Sequence, residues 1–479
     1  MNNKSLKNNI LLYVIKQISA ILFPMIIYPY VARKLGVDGI GKVEYAKSIT
    51  QYFVLFSGLG IFDYAVREGA RIREKKKEFN QFATQILMIH TISTIISVSV
   101  CYLISFFSVF LQYQKLIFIF SLMIPFGTIG FNWIFGVFEE YEYIAKRTII
   151  VQFVSAILVF MIVHEKEDYI CYAIILVLSS VGANIMNLAQ IYKFFKLDFK
   201  NLQIRKHLKS IFLIFGMTLA SNLYMTMDTS MLGFLDGTMS VGYYSAANKL
   251  VIVIGTLLGA VRTVLLPRLS NVIANNKDEE FKQLNSITLN IIIIFAIPVA
   301  FGIWCLSNEI IILFCGSEFV NGGKTLKILV PEIVLSAMNG YLIYQIYMPL
   351  KHEDKAFFCI LAGAVTNLIT NIILIPILHQ NGAAVATCIS EGIVFAFALM
   401  LGKKQLNEWI DYKFFLIELI KCLFSGMIMF ILCMLIKTTI RNYVIIMFAI
   451  PIIGAFMYFT ILIAIKEKLV SKIIKLKLD

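Results

Sequence analysis

Charge is scarce in this chain. Only 15% of its 479 residues are Asp, Glu, Lys or Arg, against about 25% in a typical soluble domain. Hydrophobic residues make up 59%, and the mean hydropathy is +0.81. A water-soluble core cannot hide that much apolar surface, so the composition excludes a string of soluble domains and calls for lipid as solvent. Histidine is also sparse: His90, His164, His207, His352 and His379 are scattered without metal-ligand spacing. The eight cysteines stand singly, mostly within apolar runs, and no C-x-x-C pair occurs. Neither a metal centre nor a disulfide framework is therefore expected. No cleavable signal is visible, because the first apolar run, from Asn9 to Val31, is too long and lacks a small-residue cleavage site; it is expected to remain as a helix. No loop is long enough to hold a soluble catalytic domain. The ten-residue alternation of a membrane barrel is absent as well.

What is present is a series of apolar runs long enough to cross a bilayer, about fourteen in all at roughly 20 residues each. They cover 9–32, 39–63, 81–108, 114–137, 147–164, 169–193, 210–235, 240–266, 286–306, 326–349, 356–378, 382–402, 412–436 and 441–465. The excess of 43 basic over 29 acidic residues reads as topology rather than as nucleic-acid binding. With the N-terminus inside, the inner segments carry thirty Lys and Arg and the outer segments eight. Both ends should then face the cytoplasm across an even number of spans. The largest outer segment, from Ser307 to Lys324, holds the apolar patch from Glu309 to Gly316, expected to lie in the membrane interface.

The two halves resemble each other at a shift of roughly 200 residues, the mark of many transporters. Leu35-Gly36-Val37-Asp38-Gly39-Ile40-Gly41, running on to Ala46-Lys47, is echoed by Leu235-Asp236-Gly237, Val241-Gly242 and Ala246-Ala247-Asn248-Lys249. The expected fold is all-α: a polytopic membrane protein of two six-helix lobes and two extra C-terminal helices. The expected parts are an N-lobe over 1–195, a basic cytoplasmic linker over 196–209, a C-lobe over 210–402, and a final helix pair with a basic tail over 403–479.

Ionisable groups at the centre of a membrane cost about 2.5–3.5 kcal/mol each on insertion scales, so each one inside a span is a functional candidate. Here they are Lys16, Glu44, Lys47, Asp228, Lys249, Glu332, Glu391, Glu418 and Lys421. Lys47 and Lys249 enter from the outer side by roughly 12–13 Å, and Asp228, Glu44 and Glu332 fall in a similar layer. That matched depth suits a hydrophilic cavity between two lobes. Simpler readings compete: Lys16 can snorkel to the inner surface, Glu44 and Lys47 can neutralise each other at i,i+3, and Glu418 and Lys421 repeat that spacing. Asp228 and Lys249 can serve as a packing pair. Glu391, beside Ser390 and Gly392, has no partner on its own helix and reads as a cavity or proton site. Asn222, Tyr224, Asn339, Tyr341, Gln345, Asn367 and Asn371 add polar groups that could line the cavity or join helices.

These strings resemble a known family. Tyr28-Pro29-Tyr30-Val31-Ala32-Arg33-Lys34-Leu35-Gly36 followed by Gly39-Ile40-Gly41 is similar to the first-span signature of Wzx-type lipid-linked oligosaccharide flippases. These belong to the polysaccharide transporter family, within the multidrug/oligosaccharidyl-lipid/polysaccharide exporter superfamily. Asp228-Thr229-Ser230-Met231-Leu232-Gly233, Leu266-Pro267-Arg268-Leu269-Ser270 and Gly382-Ala383-Ala384-Val385-Ala386-Thr387 with Ser390-Glu391 extend the likeness over residues 10–400. The resemblance implies lobes that rock between inward- and outward-open states. The implied cargo is an oligosaccharide repeat unit on undecaprenyl pyrophosphate, carried to the outer leaflet of a bacterial cytoplasmic membrane for O-antigen, capsule or exopolysaccharide. It also implies work alongside a polysaccharide polymerase and a chain-length regulator, and no cofactor beyond coupling to an H+ or Na+ gradient. Lys16, Lys47 and Lys249, with Arg33 and Arg262 at the rims, would hold the pyrophosphate. Asp228, Glu332 and Glu391 are the coupling candidates.

Rival readings are a lipid II or multidrug exporter of the same superfamily and, from another class, a membrane-embedded glycan polymerase or acyltransferase. The cationic set disfavours a drug exporter. An enzyme would need a sizeable outer loop or an intramembrane His/Asp set, which this chain lacks.

Overall fold

The computed structural model describes residues 6–200, 202–275, 277–440 and 443–470; within them, the side chains of 6–18, 20–22, 217, 220–221, 223, 261–264, 267, 404 and 443–444 lie outside the description. Among the described residues there is no strand. The helices are α1 (Leu6–Gly58), α2 (Ile61–Ile72), α3 (Lys76–Ser105), α4 (Gln114–Ser121), α5 (Met123–Ile129), α6 (Asn132–Val137), α7 (Tyr141–Ile162), α8 (Tyr169–Leu188) and α9 (Arg205–Leu235). They continue with α10 (Thr238–Ala274), α11 (Asp278–Cys315), α12 (Asn321–Tyr341), α13 (Glu353–Leu378), α14 (Gln380–Leu401), α15 (Lys403–Trp409), α16 (Tyr412–Thr439) and α17 (Tyr443–Ala464). Contacts group the chain into two compact units, Met1–Gly242 and Tyr243–Asp479.

Eleven helices among the described residues are long and apolar enough to cross a membrane, by length and composition. These helices follow the fourteen runs except at three places. The runs 9–32 and 39–63 lie on the single helical element α1, interrupted only where Gly36 adopts φ 69°, ψ −177°. The run 114–137 is cut into three: Pro125 has no N–H to offer the Ser121 carbonyl, and Phe131 turns left-handed at φ 47° after Gly130. The run 210–235 lies on α9, which is not among the eleven. Of the outer segment expected over Ser307 to Lys324, the apolar patch forms the last turns of α11. Its isoleucines and leucine sustain the helix to Cys315, and Gly316, at φ 99°, ends it.

In the first unit, α2, α3, α6 and α9 bury Ile61, Phe79, Phe82, Ile86, Trp133 and Ile211 together. The stretch leading into α9 is tied down rather than loose: the Lys196 N–H donates to Asn80 Oδ1 at 3.1 Å and the Asp198 N–H to Thr84 Oγ1 at 2.9 Å. The two echoed glycine turns meet here. A side chain on Gly41 would collide with the Thr238 carbonyl oxygen, and one on Gly242 with that of Val37. Thr238 Oγ1 donates to Asp38 Oδ1 at 2.6 Å, and Lys42 pairs with the same carboxylate at 2.7 Å.

In the second unit the core runs through α11, α12, α14, α16 and α17, with Ile292, Ile297, Tyr341, Val394, Cys422 and Tyr458 all buried. The Glu418–Lys421 pair is a fastening. Lys421 Nζ lies 2.9 Å from Glu418 and donates to the Lys466 carbonyl, and Asn290 Nδ2 on α11 donates to buried Glu467. The final helix pair is thus bolted to α11. Elsewhere, large apolar side chains such as Phe153, Met400 and Phe456 stay exposed, as lipid-facing residues do.

Candidate functional site

In the first unit, the part of α1 beyond Gly36 carries Glu44 and Lys47 on one face, joined at 3.4 Å. Tyr45 is 1% exposed, packs edge-on against Tyr113 at 5.0 Å, and fills the space left by Gly233 on α9. One turn pair later, Tyr52 shares a 2.5 Å hydrogen bond with Ser230. These two contacts zip α1 to α9 and bring the buried carboxylate of Asp228 into the same stretch of helix. Asn222 spends its amide on its own helix, donating to the Thr218 carbonyl at 2.9 Å, and Tyr224 is half-buried.

The second unit holds a polar layer inside apolar helices. Asn339 on α12 donates to the backbone oxygen of Glu391 on α14 at 2.9 Å and also to its carboxylate. The partner that Glu391 lacks on its own helix therefore comes from a neighbour. Glu332 lies two turns before Asn339 on α12 and is half-buried. On α13, Asn371 donates to Asn367 at 3.0 Å, both fully buried. Ser390 and Thr387 lie on α14 in the same layer, and Tyr244 Oη and Thr387 Oγ1 are 3.2 Å apart. Close helix approach makes the layer compact: a side chain on Gly382 would strike the Leu374 carbonyl. After Asn339 the chain passes into a π-helical stretch, Leu342–Tyr347, which turns Gln345 inward; its amide is fully buried with neither atom hydrogen-bonded among the described residues. Such bulges recur at functional sites.

The remaining candidates are dispersed. Arg33 is exposed and donates to the Pro29 carbonyl at 3.3 Å. Lys249 is half-buried on α10. The side chains of Lys16 and Arg262 lie outside the described residues.

Sequence reading missed a second polar lattice, in the first unit. Arg147, 4% exposed, donates to the Ala183 carbonyl at 2.7 Å and to Asn132 Oδ1 at 2.6 Å, while Phe135 and Tyr143 flank its guanidinium. Asn132 Nδ2 donates to Asn184 Oδ1 at 3.0 Å, and Asn187 donates to Asn132 Oδ1 and to the Gly130 carbonyl. Beside Lys146 at the head of an apolar run, Arg147 looks like one more cytoplasmic charge. The available signal was Asn184 and Asn187, three apart on one face of an otherwise apolar helix.

Buried carboxylate and amide layers inside apolar spans of an all-helical chain define the class, a multi-pass membrane transporter. In fold the chain is similar to a solved structure described as lipid II flippase MurJ in an inward closed conformation. The TM-score is 0.81 at 19% identity, covering 96% of this chain and 100% of that one. It is 24% identical over 83% of its length, and 97% of the relative's, to a protein of Escherichia coli (strain K12) named "Putative O-antigen transporter". It is also 30% identical to a Haloferax volcanii protein named "Probable low-salt glycan biosynthesis flippase Agl15", over 43% of each chain. The chain belongs to the polysaccharide biosynthesis protein family, whose model matches residues 6–273; the MatE model matches 214–373. The resemblance read from the motifs is borne out.

Proposed function

We propose that the protein is a flippase that carries a lipid-linked oligosaccharide across the membrane for surface polysaccharide biosynthesis, as a transporter rather than an enzyme. The observation that carries this reading is the similarity, over 83% of this chain and 97% of the relative, to a protein named "Putative O-antigen transporter", within a multi-pass helical fold. A hydrated glycan and a pyrophosphate cannot enter hydrocarbon unaided, whereas a polyprenyl chain can stay in it. The cargo on this reading is an undecaprenyl-pyrophosphate repeat unit at a bacterial cytoplasmic membrane. An N-lobe and a C-lobe alternate access to it, and a polymerase and chain-length regulator act next. Lys47 and Lys249, with Lys16, Arg33 and Arg262, are the proposed phosphate contacts; Lys offers point charge rather than the bidentate grip of Arg. Glu391 with Asn339, together with Glu332 and Asp228, is the proposed coupling set for H+ or Na+.

Complementation tests this. A deletion strain should accumulate undecaprenyl-linked repeat units and lose surface polysaccharide; wild type should restore both, and Lys47→Ala and Lys249→Ala at matched expression should not. Unchanged precursors and polysaccharide in the deletion strain would overturn the oligosaccharide reading and bring the lipid II and drug exporters forward.

A further inference from the structure

The first unit contains a cavity of about 320 Å³ that the charged and amide candidates above do not account for. It falls at the low end of the roughly 300–1,000 Å³ that small-molecule sites span. Six elements contribute to its wall: Gln51 from α1, Asp63 from α2, His90 from α3, Ile124 from α5, Asn132 and Trp133 from α6, and Thr218 from α9. Aliphatic side chains such as Val54, Leu55 and Ile124 fill in between.

Two of these residues carry unsatisfied groups. His90 Nδ1 and Trp133 Nε1 are buried and have no hydrogen-bond partner among the described residues, and Trp133 is 3% exposed. Burying a polar atom unpaired costs about 1–3 kcal/mol, so two on one cavity wall point to a polar occupant. The indole is held by Phe79 and by an edge-on contact with Phe82 at 6.2 Å. Asn132 is held by the Arg147 lattice, which engages its carbonyl oxygen twice and one of its amide hydrogens. That lattice is positioning machinery: it keeps an amide rigid at a cavity wall.

The chemistry of the wall selects the occupant. No Lys or Arg is among the lining residues, so a pyrophosphate has no counter-charge here. A set of Gln, Asn, Thr, His and one Asp offers both donors and acceptors, which matches hydroxyls, groups that donate and accept at once. Trp133 lines the wall with little of its surface exposed, so it offers no stacking face and serves as a reporter fixed beside the cavity. Gly58, Gly60 and Asp63 put the cavity at the end of α1 that leads into the basic run Arg67 to Lys77, the side that loop charge assigns to the cytoplasm.

We propose that this cavity is a sugar subsite, which takes one neutral pyranose ring of the cargo beside Trp133 with Gln51, His90 and Asn132 on its hydroxyls. It deepens the flippase reading and rests on it for the identity of the cargo. It separates two jobs: cations grip the pyrophosphate, while a cation-free wall reads the glycan.

The chain has three tryptophans, and Trp304 and Trp409 lie in the second unit. Trp304→Phe with Trp409→Phe leaves Trp133 as sole reporter in the purified full-length protein. Titration with methyl glucoside, methyl galactoside and methyl N-acetylglucosaminide should give a saturable change in its emission with at least one of them. The apparent affinity should weaken at least tenfold in Gln51→Ala and in Asn132→Ala. Gln51→Ala keeps the test decisive should Asn132→Ala disturb folding. The proposal is overturned if no glycoside gives a saturable change, if Gln51→Ala leaves the response intact, or if only inorganic pyrophosphate or tetraphenylphosphonium produces one. The complementation assay with wild type separates the two readings. Restored polysaccharide with no glycoside response removes the subsite alone, whereas a glycoside response without complementation removes the flippase reading and leaves a sugar site.

Discussion

Arg147 is a buried guanidinium whose hydrogen-bond partners are a backbone carbonyl and an asparagine, with two aromatic rings alongside. Its replacement takes the guanidinium donor from the Ala183 carbonyl and leaves Asn132 Oδ1 with Asn187 alone. Arg147→Leu should therefore destabilise the first unit by about 2 kcal/mol or more, read as a lower midpoint of thermal unfolding in detergent. Arg147→Lys should recover part of the loss, since one ammonium can reach one of the two acceptors. His207 is a second residue that the sequence did not single out. Its ring is buried between Tyr64 Oη, 2.7 Å from Nδ1, and Gln85 Oε1, 2.8 Å from Nε2. Burial, with Lys206 adding to it against the opposing Glu68, lowers its pKa from the ordinary histidine value. The folded state then binds fewer protons than the unfolded one. Its contribution is complete above about pH 6.5 and is lost as pH falls below that value. The protection of α2 amides relative to their intrinsic exchange rate should fall between pH 7.5 and pH 5.5 in wild type, and much less so in His207→Asn. Neither residue could be found by looking for charge in mid-span, because both lie at the ends of apolar runs, where charge is ordinary.

At the scale of elements, Gly36 sits in a backbone region open to glycine almost alone. Gly36→Ala should cost about 1–3 kcal/mol, or displace the break in α1 and reduce transport, whereas Gly58→Ala, with open space around it, should be close to neutral in the same unfolding assay. The apolar runs were legible because a bilayer demands about 20 apolar residues per helix and lipid tolerates no unpaired backbone. Their ends were less legible. A helix such as α11 continues past the hydrocarbon for as long as its residues favour it, and a single proline with a left-handed phenylalanine cuts 114–137 into pieces that still look like one run by composition.

For the whole molecule, the pairing of Glu391 with Asn339 makes a coupling experiment specific. Glu391→Gln keeps the volume and hydrogen-bonding capacity but removes the charge. On the proposed function it should leave folding intact and abolish the dependence of flipping on an imposed H+ or Na+ gradient in vesicles; persistence of that dependence would move the coupling role elsewhere. The sequence made Glu391 a candidate from charge alone, but its partner lies 52 residues away on another helix, and no periodicity links them. The proposed sugar subsite was illegible for a related reason, since its cavity draws its wall from six separate elements.

The echoed turns around Gly41 and Gly242 carry one more consequence. Each copy opens a gap by lacking a side chain, and each fills the other's gap with a backbone carbonyl, from Thr238 in one direction and Val37 in the other. That reciprocity is the property of an isologous interface between identical subunits, here written into a single polypeptide. A bulkier residue in either copy runs into the other copy's backbone, and a second substitution at the partner glycine would add a clash rather than relieve one, so each position is held as glycine independently.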